Sequence, residues 1–274
     1  MNFELSPEHI ALRKEFRDFA QQEILPFAND YDKAESIPME IIGKLAAKGY
    51  LGLVIPKQYG GRGLDQVALG LLNEEIGRTC SSVRSLLTVH TSLVAETLAR
   101  WGSQQQKEYW LPRLSSGKSI AAFGLTEPLI GSDAKNITTS YREEKDFFVL
   151  NGTKKWITFA QIADLIVIVA KNEDADSTFL VEKKFDGVKI KPIKGLLGTR
   201  ASMLAEIHLQ EVKIPKENLF GRKGLGFMQI TNHALTNGRY SVACGSLGIA
   251  RACLEESIKY AKARIQFGVP IKDH

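Results

Sequence analysis

The stretch FFVLNGTKKWIT, at residues 147–158, decides the fold. Two runs rich in aromatic and β-branched residues flank Asn151-Gly152, the strongest short-range sequence signal for a β-hairpin. Further runs of this kind, separated by turns, continue from Ser119 to Phe220. Because no helical pattern alternates with them, we predict a compact antiparallel β-domain over residues 118–225 rather than a parallel sheet of the dinucleotide-binding type.

The residues before this β-rich block have helical periodicity. Up to about Gly117, apolar residues recur every three or four positions. Ser6, Asp65 and Ser103 each stand where an N-cap is expected at the start of such a run. The sequence therefore predicts an all-helical domain over residues 1–117.

The C-terminal block, residues 226–274, predicts one long helix. No proline occurs from Phe227 to Gln266, which at 1.5 Å per residue corresponds to a helix of roughly 60 Å. Its apolar stripe runs from Leu247 to Ile265, and few residues follow that could cover it. We expect partners from other subunits or from a continuation of the chain. The predicted fold class is α+β: an N-terminal all-helical domain, a middle antiparallel β-domain and an incomplete C-terminal helical bundle.

The composition of the 274 residues narrows the class of function. Hydrophobic residues make up 44% and charged residues 24%, as in globular proteins that bury a core. The net charge of +5 is spread along the chain, whereas nucleic-acid binding usually needs a clustered basic face. Three scattered cysteines without CxxC spacing argue against structural zinc, so we expect no metal. Without a signal-peptide pattern or a long apolar run, we expect a cytoplasmic protein with no membrane insertion.

Several motifs follow one another in a fixed order and cover almost the whole chain. The most specific are FGLTEPLIGSDA (123–134), NGTKKWIT (151–158) and ARIQFGVPI (263–271). Supporting motifs are PKQYGGRG (56–63), GSQQQKEYWLPRLSSG (102–117), LGTRAS (197–202) and GRKGLGF (221–227). In these motifs the chain resembles the acyl-CoA dehydrogenase family. Any one of them alone would be weak evidence, but several in register are strong evidence.

The resemblance implies an FAD flavoprotein that removes a proton from Cα and a hydride from Cβ of an acyl thioester, with the hydride going to flavin N5. The loop from Phe123 to Ser132 would line the isoalloxazine and the pyrophosphate. Trp156 would pack on the ring, with Thr158 near N5; from the residues alone, Trp156 would instead be a core tryptophan. The implied cofactor-binding residues are Phe123, Leu125, Thr126, Gly131, Ser132, Trp156, Ile157, Thr158, Arg264 and Gln266.

Arg264 carries an implication about assembly. In the family this arginine reaches the FAD phosphates of a neighbouring subunit, and a bidentate guanidinium suits a phosphate. The resemblance therefore implies a homodimer or a homotetramer. If the resemblance does not extend to this position, Arg264 is a solvent-exposed arginine at the end of the helix.

The implied substrate-binding residues lie mainly on the long helix: Ser132, Thr236, Asn237 and Arg239. Thr236 stands where the family usually has an aspartate, and bulkier Leu129 and Ile130 replace a pair of small residues. These departures leave the thioester carrier open between coenzyme A and an acyl carrier protein.

No catalytic base is visible in the sequence. A minority of the family place a glutamate immediately before the arginine of the long helix, where this chain has Gly238. Most members carry the base later in the bundle, so we expect it beyond His274. The electrons would pass to an electron-transfer flavoprotein or to oxygen.

Two alternatives remain: a non-catalytic flavin-binding or oligomeric scaffold, and a flavin monooxygenase on the same fold. Other features favour structural roles. His90 lies on an apolar helix and is expected to be a buried histidine with satisfied hydrogen bonds rather than a ligand. A basic stretch on an expected edge strand either blocks edge pairing or docks an acidic carrier protein; it comprises Lys183, Lys184, Lys189, Lys191 and Lys194.

Overall fold

The computed structural model describes residues 4–173 and 175–274. Its N-terminal region is helical, as predicted. The α-helices there are α1 (Pro7–Phe19), α2 (Ala28–Ala34), α3 (Met39–Ala47), α4 (Gln66–Thr79), α5 (Ser81–Leu86), α6 (Glu96–Trp101) and α7 (Gln104–Ser115). A π-helical turn (Ala20–Ile24) and a 3-10 turn (Leu25–Phe27) extend α1, and a π-helical segment (Leu87–Ala95) joins α5 to α6 without a break.

The three predicted N-caps are confirmed. The Ser6 hydroxyl accepts a hydrogen bond from the His9 amide at 3.2 Å. Asp65 accepts one from the Ala68 amide at 2.9 Å. Ser103 and Gln106 bond reciprocally, each side chain accepting from the other's backbone N–H at 3.1 Å, which forms a capping box. Local side-chain chemistry thus sets where these helices begin.

The middle region contains the strands β1 (Ala121–Gly124), β2 (Ser140–Glu143), β3 (Phe147–Ile157), β4 (Leu165–Lys171), β5 (Asp176–Glu182), β6 (Val188–Pro192), β7 (Ala205–Pro215) and β8 (Leu219–Phe220). They form one sheet in the order β6-β7-β3-β2-β4-β5-β8, and β1 also pairs with β4. Most neighbours are antiparallel, but β1 and β2 both run parallel to β4. The β-domain is thus mainly antiparallel, as predicted, with parallel pairing added at β4.

The predicted hairpin at Asn151-Gly152 was wrong. β3 runs through both residues as one strand and pairs with β2 on one side and β7 on the other. The pair instead forms a β-bulge, where the register with β7 shifts and Gly152 takes φ +148°. The Asn151 side chain accepts a hydrogen bond from the Glu211 amide at 2.9 Å, which fixes the bulge to β7.

The sheet has a core on each face, because successive side chains of a strand point to opposite sides. On β4, Leu165 and Val167 belong to the larger core, which also contains the N-terminal helices. Ile166 and Ile168 of the same strand belong to the smaller core inside the β-region. β4 and its neighbour β1 therefore attach the sheet to the helical region. At the opposite side of the sheet β6 is an edge strand, as expected, with Lys191 exposed on it.

The C-terminal region starts with a π-helical segment (Gly226–Thr231) and continues as α8 (Asn232–Ala263). α8 ends at Ala263, three residues before the predicted end at Gln266. The chain then forms a small antiparallel pair, β9 (Ile265–Gln266) and β10 (Val269–Pro270). Phe267 and Gly268, both at positive φ, make the two-residue turn between them.

Short 3-10 turns complete the described structure: Lys57–Tyr59, Ala134–Asn136, Arg200–Ser202, Lys216–Asn218 and Ile271–Asp273. Among the described residues, no helix combines the length and apolar character needed to cross a membrane.

Candidate functional site

A buried ion pair holds the loop that follows β1. The Lys154 ammonium lies 2.8 Å from a Glu127 carboxylate oxygen, and both side chains are almost completely buried. Lys154 also donates to the Leu125 carbonyl at 3.0 Å. The Thr138 hydroxyl and amide and the Thr139 amide donate to the same carboxylate. The two ends of the loop 125–139 are thus tied to one point on β3.

The electrostatics of this pair are consistent with a permanent clamp. Burial by itself would raise the pKa of Glu127, but hydrogen bonds from Lys154, Thr138 and Thr139 outweigh it and lower the pKa to about 2. Burial lowers the pKa of Lys154 to about 8, and Glu127 opposes that shift. Both groups are therefore charged at neutral pH, which favours a rigid loop.

Trp156 lies next to this clamp in an unusual conformation. Its φ is +62°, a left-handed value that is costly for a bulky side chain, and it sits where the register between β3 and β7 shifts. The indole is 47% exposed, which excludes the interpretation as a core tryptophan. Ile157, the next residue, is buried and anchors the strand. The bulge therefore presents a flat aromatic face at the surface of the sheet.

The residues around Trp156 join the sheet to the helices. The Lys155 amide donates to the Thr126 carbonyl at 2.9 Å, so the loop after β1 lies beside the bulge. Thr158 is partly buried, and the amide of Phe159 donates to the Ser202 carbonyl at 2.9 Å. The Ser202 hydroxyl is 2.8 Å from that of Ser85 on α5.

The loop 125–139 has a buried base and an exposed tip. Phe123 and Leu125 are buried, and Thr126 is partly buried. Gly131 and Ser132 are exposed, which leaves the Ser132 hydroxyl and the nearby amides accessible. Of the two bulky residues in the loop, Leu129 is 94% exposed and so does not fill the loop interior.

The predicted substrate residues form a separate group on α8. Thr236 donates its hydroxyl to the Asn232 carbonyl at 2.8 Å, so its side chain folds back on its own helix. Arg239 is exposed. Gly238 is buried, and a β-carbon there would lie 2.6 Å from a methyl of Leu93. Leu93 therefore occupies the space that a side chain at this position would need.

Asn237 belongs to the same group. Its amide lies 3.2 Å from His233 Nε2, one turn earlier on α8. Burial lowers the pKa of His233, and the charge of Arg100 lowers it further. The His233 ring is therefore neutral at pH 7 and can act as the hydrogen-bond acceptor for the Asn237 amide.

Arg264 and Gln266 lie apart from both groups. They follow the C-terminal end of α8, and at 1.5 Å per residue Arg264 is roughly 37 Å along the helix from Arg239. Both side chains are exposed. A single chain therefore does not place them beside the predicted substrate residues of α8.

His90 has the structural role that was expected. Its Nδ1 accepts from the Ala121 amide at 3.1 Å, so Nε2 carries the proton and donates to the Leu114 carbonyl at 3.1 Å. Burial lowers the pKa of His90 to about 4, which keeps the ring neutral. The residues that sequence reasoning missed are Glu127 and Lys154. The burial pattern along β3 does not alternate regularly, so a strand period in the sequence could not have revealed the buried lysine.

Comparison with known proteins gives consistent matches along the chain. Residues 6–118, 122–212 and 224–274 match the N-terminal, middle and C-terminal domains of acyl-CoA dehydrogenase. Glutaryl-CoA dehydrogenase of Desulfococcus multivorans is 38% identical over 100% of this chain and 72% of its own length. The mitochondrial short-chain specific acyl-CoA dehydrogenase of Rattus norvegicus is 38% identical over 98% of this chain and 66% of its own length.

A solved structure agrees with these matches. The structure of a glutaryl-CoA dehydrogenase from Mycobacterium smegmatis in complex with FADH2 superposes with a TM-score of 0.94. It is 31% identical and covers 98% of this chain and 69% of that one. The chain thus spans about two thirds to three quarters of the length of these relatives.

Proposed function

The chain belongs to the acyl-CoA dehydrogenase family, and we propose that it takes part in FAD-dependent α,β-dehydrogenation of an acyl thioester. The observation that carries this proposal is the left-handed Trp156 bulge, which presents an aromatic face beside Thr158 and the clamped loop. Backbone strain of this kind persists only where the surrounding structure enforces it, and it is concentrated at functional sites.

The residues of this region fit a flavin. A flat, half-exposed indole suits an aromatic ring, and the partly buried Thr158 hydroxyl can donate to a ring nitrogen. The exposed amides and hydroxyl at Gly131 and Ser132 suit the pyrophosphate. When bound, FAD would supply the acceptor for the hydride that leaves Cβ. Glu127 and Lys154 do not touch the cofactor in this proposal but hold the loop that does.

Arg264 and Gln266 would bind the FAD phosphates of a second copy of the chain, because they follow the far end of α8, roughly 37 Å along the helix from Arg239 of their own chain. The proposal therefore includes a homodimer or a homotetramer. An exposed guanidinium is well suited to a phosphate because it can donate two parallel hydrogen bonds.

Arg239 and Asn237 would orient the thioester arm. Proton abstraction from Cα is assigned to a carboxylate at a position other than 238. Glycine has no basic side chain, and Leu93 occupies the neighbouring space. The names of the relatives support coenzyme A as the carrier, and an acyl carrier protein is the second possibility. The proposed electron acceptors are an electron-transfer flavoprotein or oxygen, and the proposed location is the cytoplasm.

Thr158→Val tests the proposal. Losing one hydrogen bond from a buried group costs about 1–3 kcal/mol, so FAD binding should weaken by roughly 5- to 100-fold. Binding is measured by titrating FAD and following the flavin absorbance that stays with the protein after desalting. Thr153→Val is the matched control, because Thr153 lies on β3, five residues before Thr158, and its hydroxyl bonds to His208 instead.

Equal FAD affinity of the Thr158 variant and the control would contradict the assignment of Thr158. Addition of a saturated acyl-CoA should then bleach the flavin band of the FAD-loaded protein only slowly, because no base is visible in these residues and general base catalysis is worth about 10²- to 10⁴-fold. A bound flavin that shows no bleaching at all would favour the non-catalytic scaffold or the flavin monooxygenase instead.

A further inference from the structure

The side chain of Arg84 is a buried cation without a counter-ion. It lies on α5 with only 8% of the residue exposed, and no carboxylate among the described residues forms an ion pair with it. Its hydrogen bonds go to two neutral hydroxyls, Thr88 at 2.8 Å and Ser81 at a long 3.4 Å. Its buried Nε makes no hydrogen bond to any described residue. Most of the five N–H groups of this guanidinium are therefore available.

The hydrogen bonds beyond Thr88 have a fixed direction. The Ser241 hydroxyl donates to the Asn73 carbonyl oxygen at 2.7 Å. Since that proton is used, the Thr88 hydroxyl must donate to Ser241, also at 2.7 Å. Thr88 therefore accepts from Arg84. The chain of bonds runs from the guanidinium through neutral groups to Asn73 and brings no negative charge to Arg84.

The fold makes room for this cation. Gly245 of α8 packs directly on it, and a β-carbon there would lie 2.7 Å from Cδ of Arg84. Burial lowers the pKa of Arg84, as expected when no anion offsets the lost hydration. Burying a charge without a partner is costly, so such groups are usually paired with a counter-ion or ligand. An anionic ligand would satisfy both the charge and the free N–H groups.

Arg84 also lies between the two groups of the candidate site. Its neighbour Ser85 contacts Ser202, whose carbonyl binds the amide that directly follows Thr158. On the other side, Thr88 contacts Ser241, two residues after Arg239 on α8. An acyl chain held between the flavin residues and the thioester residues would therefore run close to Arg84, whereas the other buried cation of this region, Lys154, is already paired with Glu127.

We propose that Arg84 binds a carboxylate at the far end of the acyl chain, so that the substrate class is an ω-carboxyacyl thioester. This inference rests on the proposed function, because it needs the acyl chain to lie between these helices. A planar guanidinium binds a carboxylate through two parallel hydrogen bonds, which a plain alkyl end cannot make.

The test compares two thioesters of equal chain length on the FAD-loaded protein. Glutaryl-CoA carries a terminal carboxylate and pentanoyl-CoA does not, and isothermal titration calorimetry gives the Kd of each. The unchanged protein should bind glutaryl-CoA at least about tenfold more tightly, as expected for hydrogen bonds to a charged group. Arg84→Met should abolish that preference or reverse it, because a carboxylate buried there would have no partner, with the Kd for pentanoyl-CoA changing little.

Two further variants make the result specific. Arg84→Lys keeps the charge but cannot donate two parallel hydrogen bonds to one carboxylate, so its preference for glutaryl-CoA should be intermediate. This variant tests the inference even if the methionine variant does not fold. Arg142→Met changes an exposed arginine that is paired with Glu211, and it should leave the preference unchanged.

The failures are distinguishable. If the unchanged protein binds pentanoyl-CoA as tightly as glutaryl-CoA, or if Arg84→Lys keeps the full preference, the inference is overturned while the proposed function stands. If the FAD-loaded protein binds neither thioester, both are overturned.

Discussion

The two halves of α8 are attached to the molecule in different ways. The inner half, residues 232–248, packs backbone against backbone on α4: a β-carbon at Gly77 would lie 2.6 Å from the Gly245 carbonyl oxygen. The outer half, residues 249–263, is attached through long charged side chains, Arg251 to Glu74 and Glu255 to Arg78. Helices cross this closely only where small residues line the contact.

An apolar stripe usually marks the buried face of a helix, but in α8 it marks the exposed face. The apolar residues of α8 are largely exposed, with Leu247 at 53%, Leu254 at 60% and Ile258 at 45%. The face that contacts the helical region is instead marked by glycines at 238, 245 and 248. The glycine spacing therefore indicates the contact inside this chain, whereas the apolar stripe indicates a surface that these residues leave uncovered.

The largest expected effect is that of Gly248→Ala in the inner half. A β-carbon at this position would overlap the Glu74 carbonyl oxygen, which belongs to the backbone of α4 and cannot rotate away. We expect α8 to be pushed off α4, at a cost of about 3 kcal/mol in the free energy of unfolding. Urea denaturation followed by circular dichroism measures it.

Gly43→Ala on α3 is the matched control, because no atom lies within 4 Å of the added carbon. It should be neutral or stabilising by up to about 1 kcal/mol, since alanine favours a helix over glycine. Similar losses for both variants would show that the inner half has no close contact to disturb.

A second effect concerns Glu96, which lies beneath the inner half. The Gln66 side chain donates a hydrogen bond to one carboxyl oxygen of Glu96, and the other carboxyl oxygen is buried without a described partner. The Tyr240 hydroxyl of α8 donates to the backbone carbonyl of Gln66 at 2.6 Å. Burial raises the pKa of Glu96 to about 7. The folded protein therefore holds this proton more tightly than the unfolded chain does, and the free energy of unfolding should fall as the pH rises from about 4.5 to about 7.

Glu96→Gln should remove this loss. The unchanged protein should lose about 1–3 kcal/mol relative to the variant between pH 4.5 and pH 8, because one pKa unit corresponds to about 1.4 kcal/mol. Thermal unfolding across this pH range measures it. A difference between the two proteins that does not vary with pH would show that Glu96 is ionised in the folded state.

The smallest expected effect lies in the outer half. Replacing Leu254 and Ile258 together by glutamine should change the free energy of unfolding by less than about 0.5 kcal/mol at protein concentrations where the chain is monomeric. Leu72→Gln, at a fully buried position of α4, is the control and should destabilise strongly. A large loss from the outer pair would mean that this stripe is covered within the monomer.

Local chemistry explains what could be predicted from the sequence. The caps at Ser6, Asp65 and Ser103 depend on residues three positions apart, so they were visible in the sequence and are confirmed. Asn151-Gly152 signals positive φ, but a bulge needs the same backbone freedom as a hairpin turn. Only the pairing of β3 with β7 decides between the two, and that pairing involves residues far apart in sequence.

Charge pairing is the other feature that could not be predicted. The sequence contains Glu127 and Lys154 without any indication that they meet, since they lie 27 positions apart. The lack of a counter-ion at Arg84 is even harder to predict from the sequence, because it depends on where every nearby carboxylate lies in the folded chain. The predicted cofactor and substrate residues remain predictions, although the structure places Trp156, Thr158 and the loop after β1 together.

The exposed indole of Trp156 gives the molecule an optical reporter of its own. Trp110 is buried at 6% exposure and Trp101 is partly buried, so these two indoles emit from less polar surroundings. Trp156, at 47% exposure, contributes the long-wavelength part of the fluorescence. Any aromatic molecule that stacks on the bulge will quench this part selectively and shift the remaining emission towards the blue. Occupancy of this face can therefore be followed in the unlabelled protein by intrinsic fluorescence alone.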